Sequence, residues 1–201
     1  RALGSRSTAT MLRFALAQLY ADIGSFDRAQ NLLTHVEQEV DEEDTAMIVG
    51  GVESLQGELH LARGRLEAAE RALERAKSAF GSQKAHRELT EVELQRAELG
   101  LQKSRFDEVL ELARSLRLRL KELDSTDLSA RLSLIEARAA MRLGRGPETL
   151  GFLESALEQA KASEQRALIA ELEATLAEVS IIGGAHSLAT GYANRSRESW
   201  E

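Results

Sequence analysis

Five stacked helix-turn-helix repeats, about ten antiparallel helices and no sheet, are what this sequence predicts, and three observations carry the prediction. The first is composition: 32 Leu and 30 Ala stand against 7 Val and 6 Ile, with only 4% aromatic residues. Leu and Ala lead the helix scale, whereas β-branched and aromatic side chains favour strands. The second is a single proline in 201 residues, which leaves long helices uninterrupted. The third is a period of forty residues that runs the length of the chain without insertion or deletion. An all-α solenoid spanning 1–201 as one domain is the resulting expectation.

The period is carried by Ala17, Tyr20, Gly24, Phe26 and Ala29 in the first unit. The same places hold Gly57, His60, Gly64, Leu66 and Ala69, then Ala97, Gly100, Ser104, Phe106 and Val109. Ala137, Ala140, Gly144, Gly146 and Thr149 follow, and the fifth set is Ala177, Ser180, Gly184, His186 and Ala189. Units of roughly 8–44, 45–83, 84–124, 125–163 and 164–201 result, the last acting as a cap. A small residue opens each set, where a neighbouring helix must approach closely, and a Gly or Ser at 24, 64, 104, 144 and 184 breaks the first helix.

Each unit then reads as two helices. In the first (8–23 and 26–40), Ser25 stands where the second helix is to be capped. The second (45–63 and 66–79) follows Asp41, Glu42, Glu43 and Asp44, acidic residues that suit a helix N-terminus. Its Leu66, Ala69, Leu73 and Ala76 recur at three- and four-residue steps, opposite a Glu67–Arg71 pair. The third (84–103 and 106–121) places Phe106, Val109, Leu110, Ala113, Leu116 and Leu120 on one face, with Ser104-x-x-Asp107 approximating a capping box. Asp124, Ser125 and Asp127 announce the fourth (126–143 and 147–162), whose second helix opens at Pro147, where a missing N–H is harmless. The fifth (164–182 and 185–198) ends with apolar Leu188, Ala189, Tyr192 and Ala193 opposite polar Asn194, Arg195, Arg197 and Glu198, as a terminal cap requires. Trp200 either tucks back onto that cap or meets a continuing chain.

The pattern resembles the tetratricopeptide repeat (TPR) family, in a long variety with a 40-residue period. The likeness is carried best by Leu16, Ala17, Tyr20, Gly24, Phe26 and Ala29, and the fixed spacing extends it over the whole chain. The usual TPR period is 34, and the family's proline near the end of the second helix is replaced here by residues such as Asp41 and Gly81. HEAT and armadillo repeats share the forty-residue period and stand as the lesser architectural alternative. The resemblance implies a right-handed α-α superhelix whose first helices line a concave groove that binds a protein or peptide partner.

Carried over onto this sequence, that register turns Met11, Phe14, Gln18, Glu58, Leu94, Glu98, Leu101, Arg131, Arg138, Met141 and Arg142 toward a partner. The three arginines share one helical face, and guanidinium forks match carboxylate or phosphate groups bidentately. The competing reading is internal: Glu91, Arg131 and Glu171 occupy one repeat position and Glu98, Arg138 and Glu178 another, so two Glu-Arg-Glu rungs neutralise the stripe. Arg142 lacks such a pair of neighbours and is the better ligand contact. Members of the family that capture chaperone tails depend on Lys and Asn in the groove. Phe14 and Gln18 stand there instead, followed by Ser54 and Glu58, so that activity is not implied. Several of the apolar groove positions alternatively pack against the next repeat.

Other classes are disfavoured. A net charge of −7 argues against a general nucleic-acid or anionic-membrane binder, and no apolar run approaches the roughly 18 residues of a membrane span. Without cysteine there is no disulfide, thiolate metal site or cysteine nucleophile, which fits a cytoplasmic protein. The N-terminus shows no signal-peptide pattern, and Arg1 at the first position fits a segment of something larger. His35, His60, His86 and His186 lack metal-ligand spacing and read as satisfied structural histidines, and Gly50-Gly51 and Gly183-Gly184 lack the context of a phosphate loop. No catalytic, cofactor or metal site is expected. A non-catalytic interaction scaffold is the first functional reading, self-association the second, and an enzyme a distant third.

Overall fold

The computed structural model describes residues 2–39 and 46–200, with side chains from Thr8 to Ser199. Asp41 to Asp44 and the side chain of Trp200 lie outside the described residues. Among the described residues all regular structure is helical, and ten α-helices follow one another: α1 Ala2–Asp22, α2 Phe26–Glu39, α3 Ala46–Ala62, α4 Leu66–Gln83, α5 His86–Gln102, α6 Phe106–Leu123, α7 Thr126–Arg142, α8 Leu150–Ala162, α9 Arg166–Ile182 and α10 His186–Trp200. They form two compact units, one through Leu99 and the other from Gly100. The fold is an all-α array of helix-turn-helix repeats of the TPR-like kind.

The turn within each repeat is set by one backbone conformation. Gly24, Gly64, Ser104, Gly144 and Gly184 all take positive φ, between 58° and 77°. Each follows a first helix and closes it with the same two bonds. In the first repeat the Gly24 N–H donates to the Ala21 carbonyl at 2.9 Å and the Ser25 N–H to the Tyr20 carbonyl at 2.8 Å. The pairs at Gly64, Ser104, Gly144 and Gly184 repeat it forty residues apart. This is the Schellman arrangement, which satisfies the last carbonyls of a helix and reverses the chain.

Ser104 therefore does not cap the next helix, as its sequence position invited, because it is spent as the left-handed residue. The residues before α4 and α6 are Arg65 and Arg105, and neither makes a side-chain capping bond. Their backbone carbonyls start the helices instead, accepting from the Ala69 and Val109 N–H groups at 3.0 Å. A second set of left-handed residues, Lys84, Asp124 and Glu164, falls between repeats at the same spacing. It delays α5 and α9 to His86 and Arg166 and lets α4 continue to Gln83 through Gly81. Ser125, at the start of α7, donates its hydroxyl to Asp127 at 2.6 Å rather than accepting a backbone N–H.

In the fourth repeat the second helix opens as a short 3-10 turn, Gly146–Thr149, with Pro147 near its start. Thr149 occupies the small-residue position held by Ala29, Ala69 and Ala189, and it is buried. Its hydroxyl needs an acceptor there and donates to the Gly146 carbonyl at 2.6 Å. Gly146 replaces the Phe or Leu that opens the second helix of the first three repeats.

Packing follows the same period. The first-helix residues Ala17, Gly57, Ala97, Ala137 and Ala177 are buried, as are Leu33, Leu73, Ala113 and Leu153 on the second helices. A Cβ placed on Gly57 would stand 2.5 Å from Leu73 Cδ2, so α3 and α4 touch where there is no side chain to separate them. In the first unit one core joins Ala17, Ala29, Leu33 and Val36 to Val52, Leu55 and Leu59, and another joins Leu73, Ala76 and Phe80 to Val92 and Leu99. The second unit joins Ala137, Leu153, Ala156 and Leu157 to Leu172, Leu176 and Val179. Each first helix after the opening one is thus covered by the second helix of the repeat before it.

Two predictions follow from this geometry. Gly57→Ala overpacks the α3–α4 contact and is expected to cost about 1–3 kcal/mol. Ser104→Gly removes a strained left-handed side chain and is expected to raise stability by about 1 kcal/mol, whereas Gly64→Ala lowers it by a similar amount. Urea unfolding midpoints of the variants, with unchanged m-values, check both signs.

Candidate functional site

The residues expected to face a partner divide into three groups in the structure. Met11, Gln18 and Arg142 are exposed. Phe14, Glu58, Glu98, Leu101, Arg131, Arg138 and Met141 are half-buried. Leu94 is completely buried and is corrected out of the set, since no partner can reach it. Phe14 leans against α3, where its ring carbon Cζ would stand 3.0 Å from a Cβ on Gly51, and it joins the first core of its unit. Met141 packs onto the core of the second unit. For these two the internal packing anticipated for some groove positions holds.

The arginine stripe on α7 is partly neutralised by carboxylates of the same array. Arg138 Nη2 lies 3.0 Å from Glu171 Oε2 on α9, about two turns away from Glu178, the residue at its own repeat position. The long guanidinium arm takes the diagonal, and Glu178 is left exposed. Arg131, Glu58 and Glu98 are also engaged rather than free. Among the described residues no ion pair holds Arg142. Beside it in sequence and on the neighbouring first helix, Met141 and Ile182 flank Gly146, and Ile181 and Ile182 are each more than half exposed. The first-helix ends of the second unit therefore combine a free guanidinium, an aliphatic patch and an exposed carboxylate.

A polar ladder that the sequence reading did not anticipate binds adjacent helices. Glu53 on α3 and Arg75 on α4 pair at 2.6 Å, and Glu93 on α5 receives Lys77 from α4 at 2.9 Å and Arg96 at 3.1 Å. Gln56 donates to Glu37, and Arg117 pairs with Glu136 while lying over the Phe152 ring. At the last rung Glu173, almost wholly buried, holds Arg195 and the Ser199 hydroxyl, both at 3.3 Å. Glu53, Glu93 and Glu173 share one repeat position, so the signal was present in the period. In the fourth repeat that position is Ser133, and Ser155 stands where Arg75 and Arg195 are. The shortened pair leaves a half-open cavity of about 380 Å³ between α6, α7 and α8, lined by Arg117, Lys121, Ser129, Ser133, Phe152 and Ser155.

The histidines differ from expectation in one respect. His35, His86 and His186 are exposed, but the Nδ1 of His60 is buried with no hydrogen-bond partner among the described residues. Ser180, at the equivalent position of the fifth repeat, likewise has an unpaired buried hydroxyl. Burial holds the His60 pKa below the ordinary imidazole range, with Arg65, Arg63, Arg71 and Arg75 adding to the effect. Among the described residues no three His, Asp or Glu side chains converge as a metal site, and no helix is long and apolar enough to cross a membrane.

A depressed histidine pKa means that the fold keeps the imidazole neutral. The unfolded chain takes up its proton below about pH 6.5, before the folded protein does. Stability contributed by the neutral His60 is therefore complete above that pH and lost as pH falls through the folded value. The urea midpoint is expected to fall between about pH 7 and pH 5, and His60→Leu is expected to flatten that part of the profile.

The sequence matches no known protein family and no curated protein. Solved structures do resemble it. A Rap protein complexed with competence and sporulation factor superimposes with a TM-score of 0.80 at 14% identity, over 94% of this chain and 53% of that one. A signal transduction ATPase with numerous domains (STAND) from Pyrococcus horikoshii, with a tetratricopeptide repeat sensor, gives 0.71 at 18% identity, over 94% of this chain and 29% of the other. BtubC from P. vanneervenii gives 0.65 at 18% identity, over 92% and 76%. This chain spans about half the length of the Rap chain. At these identities the likeness is one of architecture, and it identifies the fold as a TPR-like array of helical repeats.

Proposed function

We propose that this chain is a non-catalytic recognition module, which holds an amphipathic helix or extended segment of a protein partner against the first helices of its repeats. The observation that carries the reading is the face at the C-terminal ends of α7 and α9. There Arg142 has no ion-pair partner among the described residues, and Ile181 and Ile182 are exposed beside it. A guanidinium next to an aliphatic patch suits a segment that presents a carboxylate alongside apolar side chains. Gln18 and Met11 offer a second, smaller contact on α1.

Two of the similar structures support the reading. The Rap protein was solved with competence and sporulation factor bound, and the STAND protein uses its tetratricopeptide repeats as a sensor. A place as one module of a larger cytoplasmic regulator is consistent with both.

The test is affinity capture from the native lysate with the unaltered chain and with the double variant Arg142→Glu, Ile182→Asp. Both substituted positions are exposed, so the variant is expected to unfold within about 0.5 kcal/mol of the parent. Loss of the captured partner, about 10-fold or more, is the expected result. Retention of the same partner by the folded variant places the site elsewhere.

A further inference from the structure

The polar ladder is interrupted in the fourth repeat, and the groups that would have met its carboxylate are still in place. Glu53, Glu93 and Glu173 share one repeat position, and each is met by a cation of a neighbouring second helix: Arg75, Lys77 and Arg195 respectively. Two repeat positions supply those cations. One, on the preceding second helix, holds Lys77 and recurs as Arg117; the other, on the following second helix, holds Arg75 and Arg195 and recurs as Ser155. Both neighbours are thus polar in the fourth repeat, yet Ser133 stands where the glutamate would be. A donor set that receives a carboxylate elsewhere here faces the cavity between α6, α7 and α8.

Arg117 lies across the Phe152 ring, 5.6 Å from its centroid, and among the described residues only its Nη2 has an acceptor, the Glu136 carboxylate. A guanidinium presents donors from all three nitrogens, so Nε and Nη1 keep theirs. Lys121, one turn further along α6, is exposed and has no ion pair among the described residues, and the exposed Ser155 hydroxyl has no hydrogen bond among them. The serines of α7 do not fill the space. The Ser133 hydroxyl donates to the Ser129 carbonyl at 3.1 Å and the Ser129 hydroxyl to the Ser125 carbonyl at 2.7 Å, so both fold back onto their own helix. Below them the floor is apolar, made of Leu120, Leu132 and Ala156, each almost wholly buried. Asp124 is the acidic member of the lining, set against Arg117 and Lys121.

The volume, about 380 Å³, is that of a small-molecule site and too small for a helix of a partner. Donors on the walls above an apolar floor suit an acid with a short hydrophobic body, because a charge-assisted bond fixes one end while the other leaves water. We propose that this cavity binds a small organic acid. Its carboxylate takes the place between Arg117 and Ser155 that a glutamate side chain holds in other repeats, and its apolar body lies against Phe152 and Leu132. The site uses the first half of α7, whereas Arg142 ends that helix, so it is separate from the recognition face and the two proposals fail independently.

Titration of the full chain with phenylacetate, followed by amide-resolved NMR, tests it, with phenylacetamide as the uncharged counterpart. Phenylacetate is expected to saturate with a Kd of about 1–10 mM, its shift changes centred on Ser133, Phe152 and Ser155, and the amide to bind about 10-fold more weakly. Ser133→Glu restores the glutamate beside Arg117 and is expected to abolish the saturable shifts. Ser155→Glu, at an exposed position that tolerates substitution, places a competing carboxylate at the same point and is expected to weaken binding about 10-fold. The control Lys161→Gln, outside the cavity, binds as the parent does. Absence of saturable shifts at these residues up to about 50 mM overturns the proposal, as does equal binding of the amide or undiminished binding by either folded glutamate variant. A blocked peptide carrying one glutamate side chain is expected to bind more weakly than phenylacetate. Tighter binding by that peptide overturns the small-acid assignment in favour of an acidic side chain of a partner.

Discussion

Each repeat depends on a reversal of chain direction achieved in one residue. A left-handed backbone at 24, 64, 104, 144 and 184 lets two amide groups turn back onto the helix just ended, so no carbonyl is stranded and no loop is required. With the turn so short, the two helices of a repeat are forced close together. Small residues at 17, 57, 97, 137 and 177 are the consequence, and Gly57 shows the limit, with Leu73 filling the space that a Cβ would take. Everything that stacks on a repeat inherits its geometry from this reversal, which is why a fixed period of forty persists while side chains vary freely between units.

Burial of Leu and Ala supplies the attraction between helices but says little about their alignment, since aliphatic surfaces slide with small penalty. The polar ladder adds alignment. Glu53, Glu93 and Glu173 stand at one repeat position, yet their partners come from different helices, with Arg75 and Arg195 following and Lys77 preceding. The partner changes because position 37 of the repeat is Lys77 in the second unit but Leu157 in the fourth, which leaves Glu173 to be met by its own second helix. Exposed pairs of this kind add little energy, whereas the nearly buried Glu173 makes Arg195 and Ser199 necessary to the seating of α10. The fourth repeat, with Ser133 and Ser155, does without the rung and keeps a cavity in its place.

The proposed recognition role falls to what the packing leaves over. Most first-helix positions are used up, Leu94 wholly and Phe14 and Met141 in large part, and Arg138 is tied to Glu171. Arg142 with Ile181 and Ile182 remains exposed at one end of the second unit. On the proposed recognition role, the specificity of the array lies in these departures from its own period.

The sequence by itself determined the helices, their order and the turn positions, because a forty-residue period makes each unit a check on the others. Gly24, Gly64, Gly144 and Gly184 are legible as turns since glycine alone adopts that backbone without cost, and Ser104 is legible by its place among them. Helix ends at Gln83, His86 and Arg166 were less so, for there Lys84, Asp124 and Glu164 take the left-handed form with no glycine to announce it. The candidate site was legible only as a list of positions. Which of them stay exposed is settled by how deep each lies between neighbouring helices, and Leu94 and Leu101 differ in that respect though both are leucines on one helix. The crossing of Arg138 to Glu171 and the unpaired nitrogen of His60 were decided by tertiary structure alone. They depend on distances between helices tens of residues apart, which no local pattern encodes.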